Sequence, residues 1–123
     1  MKKVFLALLI LLFLCSCSNK NIEIDDYTWK LESAYNENGD SLNFDEVILK
    51  AEKGKLLISH GEAYYDGRYY NAKKDPRSVI YEIEIEDKKG LASSSYTYYE
   101  NEENKETLVI NISGYSMYFC KAS

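Results

Sequence analysis

The chain has 123 residues and a formal net charge of −5, with 20 Asp and Glu against 15 Lys and Arg. That length accommodates one domain and not two, and the acidic balance offers no basic patch for a phosphate backbone, so nucleic acid is not an expected partner. Three cysteines and a single histidine leave no material for a disulfide scaffold or a histidine-rich metal centre.

Lys2 and Lys3 are followed by an unbroken apolar run from Val4 to Leu14. The run is well short of the ~20 apolar residues that a bilayer crossing needs. A basic start, a short apolar core and small residues at its end describe a secretory signal peptide over 1–16. The ending Leu14-Cys15-Ser16-Cys17 resembles the lipobox of bacterial lipoproteins. The resemblance implies cleavage between Ser16 and Cys17, lipidation of the Cys17 sulfur with a diacylglyceryl group carrying palmitate-type chains, and residence on the extracytoplasmic face of a bacterial membrane. Cys15 fits the pattern less well, because the bulky Leu14 stands immediately before it. Two acyl chains hold a protein stably where one, at ~0.8 kcal/mol per buried methylene, holds it only marginally.

Removal of residues 1–16 leaves 107, takes Lys2 and Lys3 with it and moves the charge from −5 to −7. An acidic domain is repelled by anionic lipid, so the lipid on Cys17 is the expected anchor. Cys120 is then the one thiol left, an ordinary free cysteine in a terminal strand, and no intrachain disulfide is expected. Residues 17–26 are short and polar (Ser18 to Asp26 reads Ser-Asn-Lys-Asn-Ile-Glu-Ile-Asp-Asp) and are assigned as a tether. Nine extended residues span at most about 30 Å.

From Tyr27 to the end, 27–123, the pattern is period two broken by turns. Tyr27, Trp29, Leu31 and Ser33 alternate with Thr28, Lys30 and Glu32, as in a strand with one buried face. Asn36 to Asp40 breaks it, and Leu42 and Phe44 are expected to pack back across an opening. Val47, Leu49 and Ala51 begin the next alternation, and Lys53-Gly54 turns the chain into Lys55 to Ser59. Asp66-Gly67 reads as a hairpin between the pairs Tyr64-Tyr65 and Tyr69-Tyr70. After Pro76 comes the cleanest strand, with Val79, Tyr81, Ile83 and Ile85 on one face and Glu82, Glu84 and Glu86 on the other. Asp87 to Gly90 is expected to close it, Leu91 to Glu100 to return, and Asn101 to Asn104 to turn again. Thr107 to Ile112 and Tyr115 to Lys121 pair across Ser113-Gly114. No long 3.6-residue apolar period appears after the signal. About eight short strands with brief turns predict an all-β fold after an N-terminal signal helix, a small antiparallel up-and-down barrel closed to avoid exposed edges.

Trp29 early in the first strand, the meander, and the aromatic last strand Gly114-Tyr115-Ser116-Met117-Tyr118-Phe119 resemble small lipocalin-like bacterial lipoproteins. Tyr27 stands where lipocalins carry the Gly of Gly-x-Trp, and Lys121 is the residue available where they lay an Arg over the Trp. The resemblance implies a barrel with Trp29 at its closed end and a cup for a small apolar ligand; lined by small residues such as Ser93 and Ser95 the cup would stay open, whereas large aromatics would fill it.

Chemistry-bearing constellations are sparse. His60 has no partners at metal or triad spacing and reads as a turn residue before Gly61. Glu82, Glu84 and Glu86 recur at roughly 7 Å along one strand face and read as solvated rather than as a calcium site; Asp25-Asp26 is weaker still. No Gly-rich phosphate loop, Cys-x-x-Cys or Gly-x-Ser-x-Gly elbow occurs, so no enzyme, cofactor or metal is expected. The one excess is tyrosine, twelve in all. Adjacent tyrosines on a strand face opposite ways, so the pairs place rings outside as well as inside. Outward rings make rigid amphipathic contact surface, which supports a second reading, a protein-interaction or inhibitor module.

Overall fold

The computed structural model describes residues 21–99 and 102–122; the expected signal helix over 1–16, the expected cleavage between Ser16 and Cys17 and residues 17–20 fall outside them. The described residues form an all-β antiparallel barrel. Its strands are β1 (Trp29–Tyr35), β2 (Ser41–Leu42), β3 (Val47–Glu52), β4 (Lys55–His60), β5 (Ala63–Lys74), β6 (Ser78–Ile85), β7 (Lys88–Tyr99), β8 (Glu102–Ile112) and β9 (Tyr115–Lys121). Each strand from β3 to β9 pairs with the next, and β1 pairs with both β3 and β9, closing eight strands into a ring. The two-residue β2 is an addition to the expected eight. It hydrogen-bonds the far end of β1 through Ala34↔Leu42 and Tyr35↔Ser41.

Tight turns drive the up-and-down order. Lys53-Gly54 and Ser113-Gly114 both take positive φ at their two central residues (49° and 82°; 51° and 82°), which suits the right-handed twist of the strands they join. After β1, the Asn36 side-chain oxygen accepts hydrogen bonds from the backbone N–H of Asn38 and of Asp40 at 3.0 and 2.9 Å, holding the reversal.

One expected turn is a strand interior, and another is shorter and earlier than expected. Asp66-Gly67 lies inside β5, where Leu56↔Gly67 and Gly67↔Ile85 are paired across both neighbours; the hairpin is at Gly61-Glu62. A Cβ on Gly67 would come within 2.7 Å of the Glu84 carbonyl oxygen, so this glycine marks a close approach of two strands and not a reversal. Gly90 likewise lies inside β7, and a Cβ there would sit 2.3 Å from the Asn111 carbonyl oxygen. The β6–β7 hairpin turns earlier, at Glu86-Asp87, with Ile85 opposite Lys88.

The core alternates as the period-two pattern demands: Val79, Tyr81 and Ile83 are buried on β6, Val47 and Leu49 on β3, Leu56 and Ile58 on β4, Leu108 and Ile110 on β8 and Phe119 on β9. One strand breaks step. The β1–β9 register shifts between Leu31 and Ser33, so Ala34 and not Ser33 turns inward; an extra residue at a bulge reverses every side chain beyond it. On β7 the inward residue is Ser94, opposite Val79. Ser93 and Ser95, expected to line the cup, therefore stand on the other face.

The largest departure is at the N-terminus of the described chain. Part of the expected tether packs as core: Ile22 and Ile24 are 2% and 0% exposed. A short 3-10 turn, Ile24–Asp26, carries them across one end of the barrel beside Trp29, itself fully buried. Ile22 and Ile24 alternate with Asn21, Glu23 and Asp25, a short apolar period inside a polar stretch.

Candidate functional site: the open end of the barrel

The two ends of the barrel differ because one is stoppered. At the closed end the Trp29 indole N–H donates to the Ile24 carbonyl at 2.8 Å, and the Ile24 N–H donates to the Tyr81 hydroxyl at 3.0 Å. The Tyr81 hydroxyl is also hydrogen-bonded with Ser94, and the Ser94 hydroxyl donates to the Ile22 carbonyl. A segment without strand partners thus has its buried backbone groups met by side chains, as burial requires. Burial raises the Tyr81 hydroxyl above its ordinary value of 10.0, and burial does the same to Tyr69; the two rings meet edge to face at 5.5 Å. The cation expected over Trp29 reaches it indirectly. Lys121 Nζ sits 4.6 Å above the Tyr27 ring, and Tyr27 stands edge-on to Trp29 at 5.7 Å.

The opposite end is open. It holds a cavity of about 340 Å³, at the lower end of the ~300–1,000 Å³ range of small-molecule pockets. Its floor and walls are aliphatic: Leu31, Val47, Ile58, Ile85, Ile112 and Met117. Phe44, His60, Tyr65 and Tyr115 form an aromatic rim with Glu86 and Lys88 among them. Phe44 comes from the stretch between β2 and β3. It lies edge-on to His60 at 5.7 Å while remaining 45% exposed, so it does pack back across an opening. The wall is also thinnest there. β1 and β3 pair only at Trp29↔Leu49 and Lys30↔Ile48, and just above them Leu31 and Val47 both face the cavity.

His60, expected as a turn residue, is the last residue of β4 and part of this rim. The three glutamates do not share one fate. Glu84 is ion-paired with Arg68 on β5 at 2.8 Å; that hydrogen bond holds its carboxyl below the ordinary 4.5 and raises the guanidinium in turn. Glu82 accepts a hydrogen bond from the Asn71 amide, and Glu86 occupies the β6–β7 turn at φ 59°. Among the described residues the carboxylates that do converge are Glu23, Asp25 and Asp26, with oxygens within 4.8 Å of one another. Glu23 is also paired with Lys74 at 3.4 Å, and the Asp26 carboxylate accepts from the Glu23 N–H at 2.9 Å. Cys120 is a free, partly buried thiol on the outer wall, pushed up by burial. Cys17, Cys15 and Ser16 lie outside the described residues.

Tyrosines are found on both faces, as adjacent pairs on a strand require. Tyr65 lines the cavity while Tyr64 is 67% exposed. Tyr69 packs against the core while Tyr70 lies under the Arg68 guanidinium at 5.2 Å. Tyr35 and Tyr118 meet edge to face at 5.9 Å, both exposed.

No protein-family model matches the chain, and no curated protein or solved structure matches it either.

Proposed function

We propose that this is an extracytoplasmic bacterial lipoprotein, tethered through lipid on Cys17, whose barrel holds a small apolar ligand in its open end. The observation that carries the ligand is the asymmetry of the barrel. The N-terminal segment fills one end with Ile22, Ile24 and Trp29, while aliphatic side chains at the other line a cavity of about 340 Å³. An apolar cup with a few polar groups at its rim favours a compact apolar body with one polar end. The role proposed is binding, and His60 contributes to it as part of the aromatic rim, edge-on to Phe44.

A soluble form beginning at Ser18, purified from its own host and examined by native mass spectrometry, tests the reading. A co-purifying small molecule that is lost in Ile112→Arg supports it. A stoichiometric protein instead would favour the second reading, an interaction or inhibitor module, for which the paired outward rings of Tyr35 and Tyr118 are the specific support.

A further inference from the structure

The geometry points to a fixed orientation on the membrane: the closed end of the barrel lies toward the bilayer and the mouth away from it, so the cup takes its ligand from the aqueous phase and not from the membrane that holds the protein. This rests on the anchor and the cup proposed above.

The decisive quantity is the length of free chain. If residues 21–26 were part of a loose tether, nine residues and about 30 Å would separate the lipid from the barrel, enough to let the domain tumble. They are not. Ile22 and Ile24 are buried, and they are fastened under the barrel by hydrogen bonds donated by the Trp29 and Ser94 side chains and by one that the Tyr81 hydroxyl accepts. Only residues 17–20 then remain between lipid and fold, and however they run they reach no more than about 14 Å.

The mouth is beyond that reach. From Val79, level with the stopper, to Ile85 at the rim is six steps along β6, about 20 Å of strand. Strands in small barrels tilt by roughly 40°, which leaves about 15 Å of height. To turn the mouth onto the bilayer the chain would first have to clear the wall, roughly 8 Å from the axis for eight strands about 4.8 Å apart. The path exceeds 20 Å and the chain has about 14 Å. The domain can lean, but it cannot invert.

The test uses the full-length lipidated chain in a Cys120→Ser background, reconstituted into vesicles that carry a rhodamine headgroup acceptor. A donor dye is placed at Glu52→Cys, at the closed end, or at Asp87→Cys, in a turn at the mouth; both positions are exposed. Strong quenching at position 52 and weak quenching at position 87 is the expected result. A 20-residue Gly/Ser insertion after Lys20, with a reach of roughly 25 Å, should bring the two toward equality. Equal quenching without the insertion, stronger quenching at position 87, or a chain that carries no lipid and does not join the vesicles overturns the inference.

The ligand's source is read with N-phenyl-1-naphthylamine as the apolar probe and an energy acceptor at position 87. Capture at the same rate from the protein's own vesicles and from separate ones is expected, because the probe must first enter water. Faster capture from its own vesicles overturns the aqueous route. If the probe reaches the cup from neither, the cup reading fails while the orientation is still measured by the donor labels.

Discussion

Tyr81 shows what one residue can do when its ring and its hydroxyl serve different partners. The ring is 4% exposed in the core, and the hydroxyl meets the Ile24 N–H and Ser94. Tyr81→Phe preserves the packing and leaves a buried N–H without an acceptor, which costs about 1–3 kcal/mol; a lowered urea midpoint at unchanged slope checks it. The same burial sets an alkaline limit. Folding raises the Tyr81 and Tyr69 values above 10.0, so their contribution to stability is complete below pH 10 and is lost as pH rises through the folded values. Urea midpoints measured between pH 9 and 11 should fall for wild type and fall less for Tyr81→Phe. Trp29 is the other single-residue test. It is fully buried and donates to Ile24, and Trp29→Ala should cost ~3–5 kcal/mol, much of a small domain's ~5–15 kcal/mol. A melting temperature lowered by only a degree or two would place the indole outside the core.

At the scale of the element, β6 separates its two faces within one residue. Ile83 is fully buried and Glu84 is partly exposed beside Arg68. Ile83→Asp strands a carboxylate in the core and should leave the domain unfolded. Glu84→Ser removes an ion pair at the surface, where such pairs contribute little, and should barely move the melting temperature. Its signature is acid: the pair lowers the Glu84 value below 4.5, so its contribution is present above that and lost as pH falls through the folded value. The mutant should converge on wild type at low pH. The inward glycines of β5 and β7 mark close approaches of the neighbouring strands. Gly90→Ala drives a methyl to within 2.3 Å of the Asn111 carbonyl oxygen, an overpacking that should cost about 1–3 kcal/mol, measured by denaturant titration.

At the scale of the whole molecule, a closed ring leaves its two ends as the places where chemistry can differ. One is stoppered by the chain's own N-terminal segment and the other is lined by aliphatic side chains. A form beginning at Tyr27 should lose more than a tail, because it uncovers Trp29, Tyr81 and Ser94 together; thermal unfolding should show a large drop compared with a form beginning at Asn21. Anchoring is tested separately. Cys17→Ala should abolish incorporation of labelled fatty acid in a bacterial host and Cys15→Ala should leave it intact.

The sequence by itself determined the all-β barrel, the burial of Trp29 and the inward face of β6, because a period of two and left-handed turn residues such as Lys53-Gly54 and Ser113-Gly114 are local properties of the chain. It did not reveal which glycines turn and which are pressed. Asp66-Gly67 has the composition of a hairpin, but only the neighbouring strand shows that its missing Cβ makes room for the Glu84 carbonyl. Nor could the bulge that moves burial from Ser33 to Ala34 be read locally, since it depends on the register with β9. The stopper carried a faint signal, Ile22 and Ile24 alternating with polar neighbours, but six residues cannot show a partner fifty-seven or seventy-two positions away. The open end is a purely tertiary fact. Leu31, Ile58, Ile85, Ile112 and Met117 look like any other core residues in their strands, and they border a cavity only because the barrel closed below them and nothing in the described chain fills the space above.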